Sequence, residues 1–216
     1  MSKLIIQANL KEQIHDVLKQ NIISGQYLPG TRLVIDTLAE EFNVSRTPIR
    51  DVLHSLISRG LISQQGKGYI VFKPTRDEVK DISSLRLELE KMAVEQCTLR
   101  STDEELTFFN RFRNMDAGSL NNTPLEEYDI AFHEGILFYA RNKHLKFHLD
   151  MIRDLWWLIR RWSHVEASHE IKLTSMHQHD QIIEMILARN PEEAKRLMEE
   201  HHNTGLRDIL ESDIFE

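Results

Sequence analysis

Asp129 and His133 stand four residues apart in a stretch where Leu125, Tyr128, Phe132, Ile136 and Tyr139 recur at helical spacing. Both side chains therefore fall on one strip of a helix, beside its apolar face. His179 precedes Ile182, Ile183 and Ile186 by three, four and seven residues, and His201 continues the row Ala194, Leu197, Met198. The same periodicity aims each of these imidazoles inward. One carboxylate and three imidazoles from three helices thus point into a helical core. A single inward histidine is ordinarily a core residue bonded to a neighbour, but four polar groups buried unpaired would each cost about 1 to 3 kcal/mol. Around a divalent cation they satisfy one another. Three nitrogens among four ligands favour a first-row metal, Zn²⁺ ahead of Ni²⁺ or Mn²⁺, over Mg²⁺. The other histidines, His15, His54, His144, His148, His164, His169, His177 and His202, follow no such spacing and are expected on the surface or in ordinary packing.

A second set of reactive groups lies near the N-terminus, in Asn43-Val44-Ser45-Arg46-Thr47-Pro48-Ile49-Arg50. Ser45 suits a helix N-cap, and Pro48 is tolerated in a first turn whose amides have no partner in the helix. From that start Ile49, Val52, Leu53, Leu56 and Ile57 share one buried face, which leaves Arg46, Thr47 and Arg50 pointing away from it at the N-terminal end. Arginine presents a planar fork of donors that matches guanine edges and phosphates, and a helix N-terminus set in a major groove is how helix-turn-helix proteins read bases. A solvated face is the plain alternative for such residues, and the neighbouring segments argue against it.

Those segments supply a scaffold. Leu10, Ile14, Val17, Leu18, Ile22 and Ile23 predict a helix over 8–24 closed by Gly25. Tyr27-Leu28-Pro29-Gly30 reads as a turn with a short extended exit. A short helix over 35–42 offers Leu38, Ala39 and Phe42 to the core, and Asn43 can take the left-handed conformation that ends it. After Arg59-Gly60, the run Leu61 to Phe72 reads as two β arms about a glycine turn at Gly66, with Lys67 at its tip. Three helices and a wing make a winged helix-turn-helix. Gly66 and Lys67 would then lie against the minor groove or a phosphate, and for Lys67 a solvated tip is the alternative.

Beyond Lys73-Pro74-Thr75 the pattern is helical throughout. Val79, Ile82, Leu85, Leu89, Met92, Ala93 and Val94 mark a first helix over 77–97, with Arg86 and Glu90 four residues apart on it as a pair worth about 0.2 to 0.5 kcal/mol. Further helices are expected at 102–115, 124–141, 143–163, 175–189 and 191–211, and Asn114 to Thr123 reads as loop. Asn190-Pro191-Glu192-Glu193 carries a cap, a first-turn proline and acidic residues in helix-opening order. The expected architecture is mainly α, with a winged helix-turn-helix over 1–74 and an antiparallel helical bundle over 75–216.

Charge is divided in the same way. Of the 216 residues, 1–74 hold 9 Lys+Arg against 6 Asp+Glu, while 75–216 hold 18 against 28, within a net charge of -7. Only the first third suits a polyanion. The single cysteine, Cys97, leaves no intramolecular disulfide. The absence of a signal-peptide pattern or a membrane-length apolar run predicts a cytoplasmic chain with no membrane partner.

The elements Leu38-Ala39-Glu40, Val44-Ser45-Arg46-Thr47-Pro48-Ile49-Arg50 and Leu56-Ile57-Ser58-Arg59-Gly60-Leu61 resemble the N-terminal signature of the GntR superfamily of bacterial transcription regulators. The second half resembles the ligand-sensing domain of its FadR subfamily, the FCD domain. The likeness implies operator DNA binding by a homodimer, with Arg46 and Arg50 matching the recognition-helix arginines and Gly66 the wing glycine. It also implies that Asp129, His133, His179 and His201 match the metal-binding set, and that Arg86 matches an arginine facing a small carboxylate-bearing effector. One departure is Ile35-Asp36-Thr37, where some relatives carry a basic residue that touches DNA. Trp156, Trp157 and Trp162, with Arg160 and Arg161, suit a ligand cavity, bundle packing or a dimer face equally.

The expected function is a DNA-binding regulator, expected to be a repressor, whose operator affinity is set by an organic-acid effector at a metal in the helical domain. Two rivals are a metal-dependent hydrolase, since an open metal position can activate water, and a metal-free helical adaptor. The hydrolase lacks a separate general base beside the site and has no evident use for a DNA-binding domain.

Overall fold

Ile49, Val52, Leu53 and Leu56 are each fully enclosed, and they do so on one face of the helix around which the N-terminal unit is built. A computed structural model of the chain describes residues 3–66, 68–113, 125–163 and 169–215. In it α1 spans Lys3–Ile23, β1 Arg32–Leu33, α2 Ile35–Glu41, α3 Arg46–Ser58, β2 Ile62–Gln65 and β3 Gly68–Val71. The apolar rows of α1 and α3 meet through Ile14, Leu18 and Ile22. Leu10 and Val17, on the expected stripe of α1, remain exposed instead. Asn43 takes the left-handed conformation (φ 50°) between α2 and α3. Ser45 holds the extended N-cap geometry but makes no side-chain cap bond, so α3 begins without the expected serine contact.

The short extended exit at Arg32–Leu33 is a strand. It pairs antiparallel with β3, opposite the hairpin partner β2, giving the order β1-β3-β2 with Arg32 across from Ile70 and Gln64 across from Tyr69. Gly66 turns the hairpin in the left-handed region (φ 58°) with open space around it, where a side chain would add strain.

The second half continues with α4 Arg76–Arg100, α5 Asp103–Leu106, a 3₁₀ stretch Thr107–Phe112, α6 Leu125–Ala140, α7 Lys143–Trp162, α8 His169–Leu187 and α9 Pro191–Leu210. No strand follows residue 71 among the described residues. The helix expected over 102–115 is an α turn opened by a Thr102–Glu105 capping box and then tightened to 3₁₀. The loop expected at 114–123 lies outside the described residues. Asn190 caps α9 by accepting from the Glu193 amide at 3.2 Å, with Pro191 at its start.

The buried face of α4 differs from the expected one. Ser83, Glu90, Ala93, Val94, Cys97 and Thr98 are enclosed, whereas Leu85 and Met92 are 56% and 43% exposed. The helix is turned so that a serine and a glutamate enter the core, because there they meet partners able to satisfy them.

The chain gathers into two units, Met1–Asp77 with Arg153–Trp162, and Glu78–Ile152 with Ser163–Glu216. The last turns of α7 thus group with the winged helix. Within that first unit Leu158 joins the core, and buried Asp154 takes Lys19 Nζ at 2.9 Å and Arg59 Nη1 at 3.1 Å. Trp156 is buried, Arg160 lies over the Trp157 ring, and Lys73 stands 6.0 Å from the Trp162 ring centre. In the second unit α8 and α9 pack together most extensively among the helix pairs, over a core that includes Phe109, Phe132, Ile136, Ile182 and Met198.

Candidate metal centre and nucleic-acid interface

α6 carries Asp129 and His133 one turn apart, α8 brings His179 and α9 brings His201. One ligand atom from each lies within 4.8 Å of all the others. His179 Nε2 stands 3.4 Å from Asp129 Oδ1 and 3.3 Å from His201 Nε2, and His133 Nε2 is 3.9 Å from Asp129 Oδ1. Opposite ligands of one cation are separated by about 4.2 Å, twice a bond of ~2.1 Å, so the 3.3, 3.4 and 3.9 Å separations fit a set sharing a single ion, and the 4.8 Å bound on the whole set is slightly wider. The four expected side chains are together in space. His179 is 1% exposed and stacks on Phe132 with ring centres 4.0 Å apart, which holds its plane.

The surroundings decide which nitrogens face inward. Thr204 Oγ1 donates to the Glu200 carbonyl (3.0 Å) and accepts from Gln178 Nε2 (3.1 Å). Gln178 must then present Oε1 to His201 Nδ1, at 3.0 Å. An acceptor there places the His201 proton on Nδ1 and leaves Nε2 as a bare lone pair toward Asp129 and His179. His133 repeats the arrangement, with Nδ1 at 3.3 Å from Glu90 Oε1 and Nε2 turned inward. This is the tautomer that a metal ligand held by an outer acceptor adopts. Burial first, then the neighbouring His179 and His133, keeps the His201 pKa well below the ordinary histidine value, so its lone pair persists at neutral pH.

Glu90 links this set to a second group. Burial alone would raise its pKa, but Arg86, then His133 and His202, hold it well below the ordinary carboxylate value. Arg86 donates to Glu90 Oε1 from Nε (3.0 Å) and Nη2 (2.7 Å), the one-turn pair weighed from the sequence. His202 Nδ1 lies 3.4 Å from Glu90 Oε2 and its Nε2 is 2.6 Å from Ser83 Oγ. His202, expected in ordinary packing or on the surface, is buried inside this polar network. Sequence reasoning also missed Glu90 as a partner of His133. Its signal was the seven-residue spacing Ser83, Glu90, Cys97 on one face of α4, hidden by the apolar residues beside it. Nothing in the sequence pointed to Gln178, because its partners sit on α9.

In the first unit Arg46, Thr47 and Arg50 are exposed at the start of α3. Arg46 Nε is paired with Asp36 Oδ1 at 2.7 Å, so the acidic residue that departs from the basic pattern of some relatives touches the recognition helix. Gly66 forms the wing turn, and Lys67 lies outside the described residues. No described helix is long and apolar enough to cross a membrane.

Residues 10–71 match the bacterial regulatory proteins of the gntR family and residues 81–204 match the FCD domain. The chain belongs to the GntR family and carries an FCD domain. This GntR-family chain is 30% identical over 207 residues to an uncharacterized HTH-type transcriptional regulator, YdhC, of Bacillus subtilis, covering 92% of both. It is 32% identical to the gluconate operon transcriptional repressor of Bacillus licheniformis, over 62% of this chain and 57% of that protein. A putative GntR transcriptional regulator from Rhodococcus sp. RHA1 shares the fold with a TM-score of 0.73 at 18% identity, covering 93% of this chain and 97% of that one. The GntR and FCD families consist of transcription regulators rather than enzymes, and several relatives are repressors. The hydrolase and adaptor alternatives therefore give way to a GntR/FCD regulator.

Proposed function

We propose that the chain is a homodimeric operator-binding repressor whose FCD unit holds one divalent cation and responds to a small carboxylate-bearing effector. The observation that carries this reading is the convergence of Asp129, His133, His179 and His201, with two of the imidazoles held as lone-pair donors by Glu90 and Gln178. The donor set fits Zn²⁺, with Ni²⁺ or Mn²⁺ as alternatives, since three of its four atoms are imidazole nitrogens. A bound cation would supply a Lewis-acidic position for a carboxylate. Arg86 would add a charge-assisted contact to that carboxylate, in competition with its pair to Glu90. In the winged helix, Arg46 and Arg50 would read bases, with Thr47, Gly66 and Lys67 beside them. A single winged helix covers one half-site, so a two-fold dimer suits a pseudo-palindromic operator. This division assigns DNA binding to 1–74 and metal, effector and dimer contacts to 75–216.

Elemental analysis of the purified full chain tests the centre. One equivalent of metal is expected, falling away in the His133→Ala, His179→Ala, His201→Ala triple variant; full occupancy in that variant would refute the site. Arg86→Ala should keep metal and DNA binding but lose the response to organic acids. Sedimentation of the full chain should report a dimer.

A further inference from the structure

We propose that Arg32, on strand β1, is a DNA phosphate contact that flanks the recognition helix, an inference that rests on α3 entering the major groove. Arg32, Asp36, Arg46, Arg50 and Gly68 line one surface concavity. It lies within the first unit, where the start of α3 meets β3 just after the wing turn. Three guanidinium groups face one carboxylate there, an excess of positive charge on a chain whose net charge is -7. Asp36 is already committed to Arg46 at 2.7 Å. Arg32 and Arg50 have no ion pair or side-chain hydrogen bond among the described residues. Exposed guanidinium groups grouped in a concavity raise the local positive potential and attract anions, and a polyanion brings several at once.

The position of Arg32 decides which part of the DNA it meets. β1 is an edge strand of the wing sheet, not part of the helix that carries Arg46 and Arg50. Its guanidinium lies along the start of β3, where a methyl group added at Gly68 would stand 2.9 Å from Nε and 3.2 Å from Nη2. Gly68 thus leaves the room that lets the side chain fold over the wing beside its turn. A helix seated in a major groove has phosphate backbones on either side, and a cation between the helix start and the wing turn, off the helix itself, reaches the groove wall before the base edges. Arg32 therefore contributes affinity and register without sequence preference, whereas Arg46 and Arg50 discriminate.

The test uses the full chain and two labelled duplexes, one selected by the wild-type protein from a random pool and one scrambled. Affinity is measured across a salt series. Arg32→Ala is expected to weaken both duplexes by a similar factor and to flatten the dependence of log K on log salt by about one per bound chain. Arg32→Lys should restore the slope. Gly68→Ala, which displaces the guanidinium while keeping its charge, should weaken both duplexes. The Arg46→Ala, Arg50→Ala double variant should instead abolish the preference for the selected duplex. If the double variant loses selection but Arg32→Ala changes neither affinity nor slope, the Arg32 assignment fails and the placement of α3 stands. If Arg32→Ala weakens only the selected duplex, Arg32 reads bases and the phosphate assignment is overturned. Retained selection in the double variant would overturn the placement of α3 and this inference with it. Because Arg32 is exposed, circular dichroism should show wild-type melting for its variants; a lowered melting temperature would mark it as structural and overturn the proposal.

Discussion

Gln178→Leu isolates the outer support of the metal centre from the ligands themselves. The substitution keeps most of the volume of a half-buried side chain and removes the oxygen that accepts from His201 Nδ1 at 3.0 Å. His201 is then free to carry its proton on Nε2, the nitrogen 3.3 Å from His179 Nε2, and must shed or move it before a cation can bind. Loss of such an outer partner costs about 10- to 100-fold in metal affinity. With metal at 100 times the wild-type Kd, binding stabilises the wild type by about 2.7 kcal/mol, against about 1.4 or 0.4 kcal/mol for a variant 10- or 100-fold weaker. At roughly 2 to 4 °C per kcal/mol for a chain of this size, the metal-induced rise in Tm should shrink by about 3 to 9 °C. Thermal melts of chelator-treated and Zn²⁺-titrated protein measure it directly. An unchanged rise in the variant would refute the tautomer argument, and the chelated melts separate this from any direct loss of packing.

The metal-free protein should lose stability as pH falls below about 6.5. The buried His201 has a folded pKa below its unfolded value, so between the two the unfolded chain binds the extra proton; the contribution is complete above the unfolded pKa and drains away on acidification. Chelated melts from pH 8 to 5 check this, and a flat profile would contradict it. Asp154→Ala strands Lys19 and Arg59 in the first unit and should cost about 1 to 3 kcal/mol, below the fully buried range because both cations keep some water; urea titration gives the value. Asn190→Ala removes the cap on the Glu193 amide and should cost about 0.5 to 2 kcal/mol by the same measurement. Burial raises the Cys97 pKa to about 11, so a thiol reagent should label the native chain far more slowly than the urea-unfolded chain. Equal rates would show that Cys97 is accessible.

Much of the fold was legible because helical periodicity reports burial through local geometry. The faces of α3, α6, α8 and α9 were assigned from spacing alone, and so were the inward positions of Asp129, His133, His179 and His201. Two helices were misread. On α1, Leu10 and Val17 extend an apolar stripe but are exposed, and on α4, Leu85 and Met92 point outward while Ser83 and Glu90 point in. The cause is visible on α4. Hydropathy ranks a side chain by its cost in an apolar medium, and that cost vanishes when a partner from another helix satisfies it. Glu90 is such a case, met by Arg86 on its own helix and by His133 and His202 from α6 and α9.

By itself the sequence determined most of the helices, the buried faces of α3, α6, α8 and α9, the grouping of positive charge in the first third and the types of ligand available to a cation. Those follow from residue identity and the 3.6-residue repeat. Only the tertiary structure decided which nitrogen of His201 and His133 faces the centre, since Gln178 and Glu90 lie on other helices and their hydrogen bonds depend on three-dimensional approach. Tertiary structure likewise drew Arg32 from an edge strand beside Arg46 and Arg50, and set Asp36 against Arg46. Contacts between elements distant in sequence carry no periodic signal, so the partners that tune each side chain emerge only when the elements pack.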